Sequence, residues 1–191
     1  MDTIEHGMYL CERPDLLERM ARSGPILVPT LSCFYGVAGR EREVGVGAGA
    51  QTDAAERPGP PEPCWAPLLV ELAEHNLAQA DRTLRAALAA GVAIAAGHDW
   101  HPFWNLQVEI RRMIAQGLSG AQALAAATAG SARALGLGEH VGTVAPGLLA
   151  DLLVLDGDPL AAPELLGDRA AVWLVLALGE PVAGTALERE P

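Results

Sequence analysis

Gly91 stops a long helical pattern, and the apolar run Val92-Ala93-Ile94-Ala95-Ala96 starts on the very next residue. A helix that feeds a buried strand through a single glycine is the return half of a parallel crossover, which restricts the chain to an α/β architecture. The helix in front is marked by Leu68, Leu69, Leu72, Ala73, Leu77, Ala80, Leu84, Ala87 and Leu88, spaced for one face from about Trp65 to Ala90. The strand ends at Gly97-His98-Asp99, where polar groups replace apolar ones.

The same alternation occurs upstream. Thr3 to His6 predicts a short strand; Arg13-Pro14-Asp15 opens a helix with proline in its first turn, and Gly24 closes it. Leu16, Leu17 and Met20 form the apolar stripe of that helix. Ile26-Leu27-Val28-Pro29-Thr30 then predicts a second buried strand that stops at the proline. Downstream, Leu106, Ile110, Met113 and Ile114 predict a helix closed by Gly117, and Ser119-Gly120-Ala121-Gln122 predicts a capping box at the head of an alanine-rich one.

Two stretches depart from this pattern. From 36 to 63 the sequence shifts to Gly, Ala, Pro, Glu and Arg, a composition that cannot bury a core and predicts a flexible insertion. After Leu137 the style becomes strand and turn: Val141 to Val144, Ala150 to Leu155 and Ala171 to Leu178, divided by Pro146-Gly147, Asp156-Gly157-Asp158-Pro159 and Gly179-Glu180. The expected organisation is therefore residues 1–137 as α/β units carrying the 36–63 insertion, with 138–191 as a small β appendage.

Composition narrows the partners. The 191 residues carry 13 Lys+Arg against 24 Asp+Glu, a formal charge of −11, and every basic residue is an arginine. Such a balance argues against nucleic acid and other polyphosphates. No apolar run approaches the roughly 20 residues of a membrane span, and the first residues lack a signal-peptide pattern. Cys11, Cys33 and Cys64 form no paired spacing, which predicts ordinary thiols and a cytoplasmic protein.

Function in parallel α/β folds gathers at the C-terminal ends of strands. His6 ends the first predicted strand and Asp99 the third, each beside a glycine. An imidazole and a carboxylate meeting there can ligate a divalent metal, and the carboxylate can also carry a proton. His101 lies two residues past Asp99 and is a further candidate ligand. His98 alternates with Asp99 and is expected to face away; His75 sits in the long helix and His140 in a loop, with no case for a site role.

In this order the motifs resemble the amidohydrolase superfamily, in its imidazolonepropionase-like and prolidase-like branch. The matching pieces are Ile4-Glu5-His6-Gly7, Val28-Pro29-Thr30-Leu31, Ala87-Leu88-Ala89-Ala90-Gly91-Val92 and Gly97-His98-Asp99. Further on they are Ala123-Leu124-Ala125-Ala126-Ala127-Thr128, Ala132-Arg133-Ala134-Leu135-Gly136-Leu137, Val141-Gly142-Thr143-Val144-Ala145-Pro146-Gly147 and Ala150-Asp151-Leu152-Leu153-Val154-Leu155-Asp156.

The resemblance implies the C-terminal portion of a (β/α)8 barrel, roughly three of its eight units, followed by part of a composite β-sandwich. It also implies a metal-dependent hydrolase of carbon–nitrogen bonds, with zinc as the expected metal and an amide or cyclic amide as substrate. By position, His6 becomes a metal ligand or a group that polarises the substrate, Asp99 a ligand and proton shuttle, and Glu109 a structural residue. The family's His-x-His pair and bridging lysine have no counterpart, so the remaining ligands are expected from a missing N-terminal half or from a second copy. The alternative is a non-catalytic remnant serving as an interaction or regulatory module.

Overall fold

The computed structural model describes residues 2–38, 67–99 and 106–188. Of the sequence expectations, positions 39–63 of the predicted insertion, Cys64 and His101 lie outside them.

Strands β1 (Thr3–Glu5) and β2 (Ile26–Val28) pair in parallel, with Ile4 opposite Leu27. The crossover between them contains α1 (Pro14–Ser23), whose first residue is the proline that a helix tolerates there. Helix α1 ends where Gly24 N–H reaches the Met20 carbonyl at 2.8 Å.

The predicted third strand runs beside β2 but makes a single parallel bridge, Leu27 with Ile94. Leu27 N–H donates to the Ala93 carbonyl and Ala95 N–H to the Leu27 carbonyl. Its other edge meets a helical rod. Ala96 N–H donates to the Ala126 carbonyl at 3.1 Å, and Ser131 Oγ donates to the Ala96 carbonyl at 3.0 Å. Small residues permit this approach: a Cβ on Gly130 would lie 2.5 Å from the Ile94 carbonyl oxygen. The N–H and carbonyl of Ala96 are thus both bound by the helical rod.

Helix α2 (Leu31–Val37) follows β2 and includes the first residues of the predicted insertion, so 36 and 37 are helical rather than loop. Helix α3 (Pro67–Ala89) buries Ala73, Leu77, Ala80, Leu84 and Ala87 of the stripe read from sequence, and Asn76 and Thr83 besides, whereas Leu68, Leu69 and Leu72 at its N-terminal end are exposed. It stops before Gly91, which takes φ +75°. Helix α4 (Leu106–Ala115) leads to α5 (Gly120–Ala125), headed by the expected Ser119–Gln122 capping box. A π-helical turn over Ala126–Gly130 joins α5 to α6 (Ser131–Ala134).

Two clusters form the core. One gathers Leu31, Phe34, Tyr35, Leu77, Leu84, Ile110 and Met113 between helices; the other gathers Leu17, Met20, Leu27, Ala87 and Val92 around the parallel strands.

The C-terminal sheet is antiparallel, in the order β3 (Leu152–Leu155), β4 (Val172–Ala177), β5 (Glu180–Ala183). Strand β5 was not expected. Leu178 (φ 52°) and Gly179 (φ 85°) form a two-residue hairpin of the left-handed type that matches strand twist. Asp151 Oδ1 accepts from Leu178 N–H at 2.7 Å and so braces the unusual leucine conformation. The strand expected at Val141 to Val144 does not form. Gly142 takes φ +95° there against Ala132 and the Thr128 carbonyl, which turns the chain instead.

Candidate functional site

His6 is the first residue beyond β1, and its N–H still donates to the Val28 carbonyl at 2.9 Å. Its φ of 63° puts a non-glycine residue in the left-handed region, which turns the imidazole across the end of the sheet. Asp99 lies at the end of the extended segment alongside β2. The two side chains approach to 3.5 Å, His6 Nε2 to Asp99 Oδ2, with about a third of the His6 side chain and half of the Asp99 side chain open to solvent (37% and 49%).

Close packing delivers Asp99 to this place. A Cβ on Gly97 would sit 2.5 Å from Val28 Cγ1, so glycine allows the third segment to lie against β2 as it leaves the sheet.

The rest of the imidazole is held as well. Thr30 Oγ1 lies 2.5 Å from His6 Nδ1 and also donates to the Pro29 carbonyl at 2.9 Å. The Phe34 ring meets the imidazole edge to face, with centroids 5.7 Å apart. Thr30 is fully buried and left-handed, φ 47° and ψ 41°, a costly conformation for a β-branched residue.

Glu109 braces that turn. Entirely buried on α4, it accepts from Leu31 N–H (2.8 Å), Ser32 N–H (2.7 Å) and Ser32 Oγ (2.7 Å). Burial pushes its carboxyl above the ordinary range, opposed by the Ser32 and Leu31 bonds and by Arg112. Arg112 itself is buried, 3.8 Å over the Tyr35 ring.

Two nearby groups are perturbed. Burial, reinforced by Asp99 and Glu109, pushes the Cys33 thiol up and keeps it protonated at neutral pH, which fits an ordinary thiol. Burial pushes the His98 imidazole down. His75 and His140 are exposed, and Cys11 and Cys33 are free.

His6 and Asp99 are therefore brought together, while His101 lies outside the described residues. Reading from sequence missed Thr30 and Phe34 as partners of His6. The signal for Thr30 was present, since it too stands just past the end of a predicted strand. Glu109 is buried as a structural residue should be, but what it holds was not legible.

As a metal site the donor set is incomplete. Imidazole nitrogen and carboxylate oxygen suit zinc, yet a catalytic zinc takes three protein ligands, and among the described residues no group of three His, Cys, Asp or Glu converges. These residues do not fit a catalytic metal by themselves. No helix among them is long and apolar enough to cross a membrane.

No curated protein matches the chain. Among solved structures, a Xaa-Pro dipeptidase with methionine bound in its active site is 26% identical, with a TM-score of 0.73 over 96% of this chain. A prolidase complexed with N-methylphosphonate-L-proline is 27% identical, with a TM-score of 0.72 over 97% of this chain. The ochratoxinase of A. niger, at 20% identity and a TM-score of 0.75 over 96% of this chain, shares the fold. This chain spans 40%, 41% and 37% of their lengths. The model of the amidohydrolase family matches residues 4–182, nearly the whole sequence, and the chain belongs to that family.

Proposed function

We propose that the chain is the C-terminal portion of a (β/α)8 amidohydrolase barrel with its share of a composite β-sandwich, residues 1–137 and 138–191 respectively. In this reading it forms part of a hydrolase of carbon–nitrogen bonds in the cytoplasm. The observation that carries it is the 3.5 Å approach of His6 Nε2 to Asp99 Oδ2 at the C-terminal ends of the two parallel segments that flank β2. The substrate class is an amide or cyclic amide, and the dipeptidase and prolidase among its structural neighbours support proline-ended dipeptides as the first to try.

Asp99 takes a proton from the attacking water and returns it to the departing nitrogen, general acid–base help worth about 10²–10⁴-fold. Its half-open position leaves room for that water. His6, fixed on Thr30 and Phe34, presents Nε2 toward the carbonyl oxygen. Members of this family are generally metal-dependent, and a divalent ion would stabilise charge on the oxygen. Its remaining ligands would have to come from the N-terminal half of a complete barrel or from a second copy. Nucleic acid and membrane have no place in this reading.

The test is to produce the chain together with the coding region upstream of Met1 and assay Xaa-Pro dipeptides with zinc or manganese added. Hydrolysis that falls at least about 100-fold in Asp99→Asn supports the proposal, and unchanged turnover overturns it. The incomplete donor set among the described residues favours a second reading, a non-catalytic remnant. A metal-free product without hydrolysis, from a gene lacking an upstream His-x-His frame, would decide for that reading.

A further inference from the structure

We infer that the parallel layer is extended at one edge, that of β1, and that the occupant is the upstream half of the proposed barrel rather than a second copy. That half adds a strand to Thr3–Glu5 and seats an apolar helix with an acidic edge in the cavity beside it. The inference rests on the reading of the chain as part of a larger barrel.

Among the described residues the layer has two outer edges, and they are built differently. On the third segment, the N–H and carbonyl of Ala96 are both taken by the helical rod. Gly130 lies so near the Ile94 carbonyl oxygen that a Cβ would come within 2.5 Å, so a strand arriving there would have to displace the rod. On β1, the Asp2 carbonyl accepts from Ile26 N–H and His6 N–H donates to the Val28 carbonyl, each at 2.9 Å. Backbone groups alternate sides along a strand, so Asp2, Ile4 and His6 face β2, while Thr3 and Glu5 face outward. The Glu5 carbonyl accepts from Gly7 N–H at 2.7 Å, and no described strand lies beside the others.

Side chains next to this edge say what kind of partner fits. A cavity of about 370 Å³ is lined by Ile4, Leu10, Leu16 and Met20, with Arg19 and Arg22 at its rim, and by nothing from β2 or α3. It therefore lies on the open flank of β1 and α1. Glu18 reaches Arg22 only to 3.9 Å, so the rim stays positive. Apolar wall and cationic rim match a helix that is apolar on one face and carries carboxylates beside it. Strand pairing would supply affinity and the cavity specificity.

Charge and length decide between the occupants. A second copy would bring a formal charge of −11 against the same excess. The chain spans 40% and 41% of the dipeptidase and the prolidase that share its fold, which leaves more than half of such a polypeptide to provide one strand and one helix.

The experiment is amide hydrogen exchange, read by NMR on this chain alone and mixed with the separately produced polypeptide encoded upstream of Met1. Alone, Ala96 should be protected, and Thr3 and Glu5 should exchange nearly as fast as a free peptide. In the mixture Thr3 and Glu5 should slow by at least about ten-fold. Thr3→Pro removes an outward N–H without touching a bond to β2, so the isolated chain should keep its thermal midpoint while binding weakens about ten-fold. Arg19→Glu with Arg22→Glu, both on exposed positions of α1, should weaken it as well.

No binding, a gene with no frame there, Thr3 and Glu5 unprotected in the complex, or affinity unmoved by both variants overturns the inference. Protection of these amides that grows with the concentration of this chain alone, with the mass of a dimer, overturns the choice of occupant. None of these readouts involves turnover. A complex with a protected edge and no hydrolysis would support the docking and count against the hydrolase reading, and hydrolysis by a complex with an open edge would do the reverse.

Discussion

The parallel layer and the C-terminal sheet are both built from apolar strands, yet they treat those residues in opposite ways. In the first, Leu27 on β2 and Leu84 on α3 are completely buried, enclosed by helices on one side and the neighbouring segments on the other. In the second, Leu153 and Trp173 are 49% and 44% exposed, and every residue of β5 is open to solvent. Strands β3 and β4 pair Leu152 with Leu176 and Val154 with Leu174 on one face, and Leu153 with Val175 on the other. A strand that is apolar on both faces belongs between two layers. The difference teaches that the parallel layer carries its own cover, whereas the sheet displays surface suited to one.

The largest expected effect tests that contrast directly. Leu84→Ala should cost about 2–5 kcal/mol by urea denaturation, because transfer and cavity terms both apply at a sealed position. Leu153→Ala, already half in water, should cost about 1 kcal/mol or less. Equal losses would break the comparison. A larger Leu153→Ala loss when the upstream region is present would sharpen it, by showing that the cover comes from there.

Glu109 is the next probe. Glu109→Ala leaves three donors inside the parallel layer without their acceptor, and should destabilise by about 3 kcal/mol in the same measurement. The sign of the pH effect also follows. Burial raises the folded-state pKa above the ordinary 4.5, so the folded protein holds the proton more tightly than the unfolded chain. That contribution is fully present below the ordinary value and is lost as pH rises through the raised one. Denaturation free energies at about pH 4 and about pH 7 should therefore differ more in wild type than in Glu109→Gln.

Smaller effects belong to the margins. Ser119→Ala removes the side-chain half of the capping box on α5 and should cost about 1 kcal/mol, read from the thermal midpoint. Smallest is Asp15→Asn. Its bidentate contact with Arg13 is fully in solvent, and the melting temperature should not move. A clear drop there would mean that surface pairing matters to the parallel layer as much as burial does.

Much of this was legible in the order of residues. Periodicity in α3, proline at the head of α1, and the capping box at Ser119 each predict an element from neighbours within one or two turns, and those elements are present. The strand-end rule singled out His6 and Asp99. It did not single out Thr30, although that residue also stands past a predicted strand end, because nothing local tells that such a threonine turns left-handed toward His6. Likewise Val141 to Val144 alternates like a strand, but Gly142 is recruited by the helix at Thr128 and Ala132 and turns the chain.

The amino-acid order alone therefore determined the alternation of helix and strand and the placing of one imidazole and one carboxylate just past strand ends, since both depend on short-range pattern. Tertiary structure decided the rest. It brought Glu109 to amides 77 and 78 positions away, set Thr30 against His6 across 24 positions, and covered the third segment with a helix instead of a strand. The physical reason is that hydrogen-bond partners and close approaches between distant segments are chosen by packing, which no local pattern encodes.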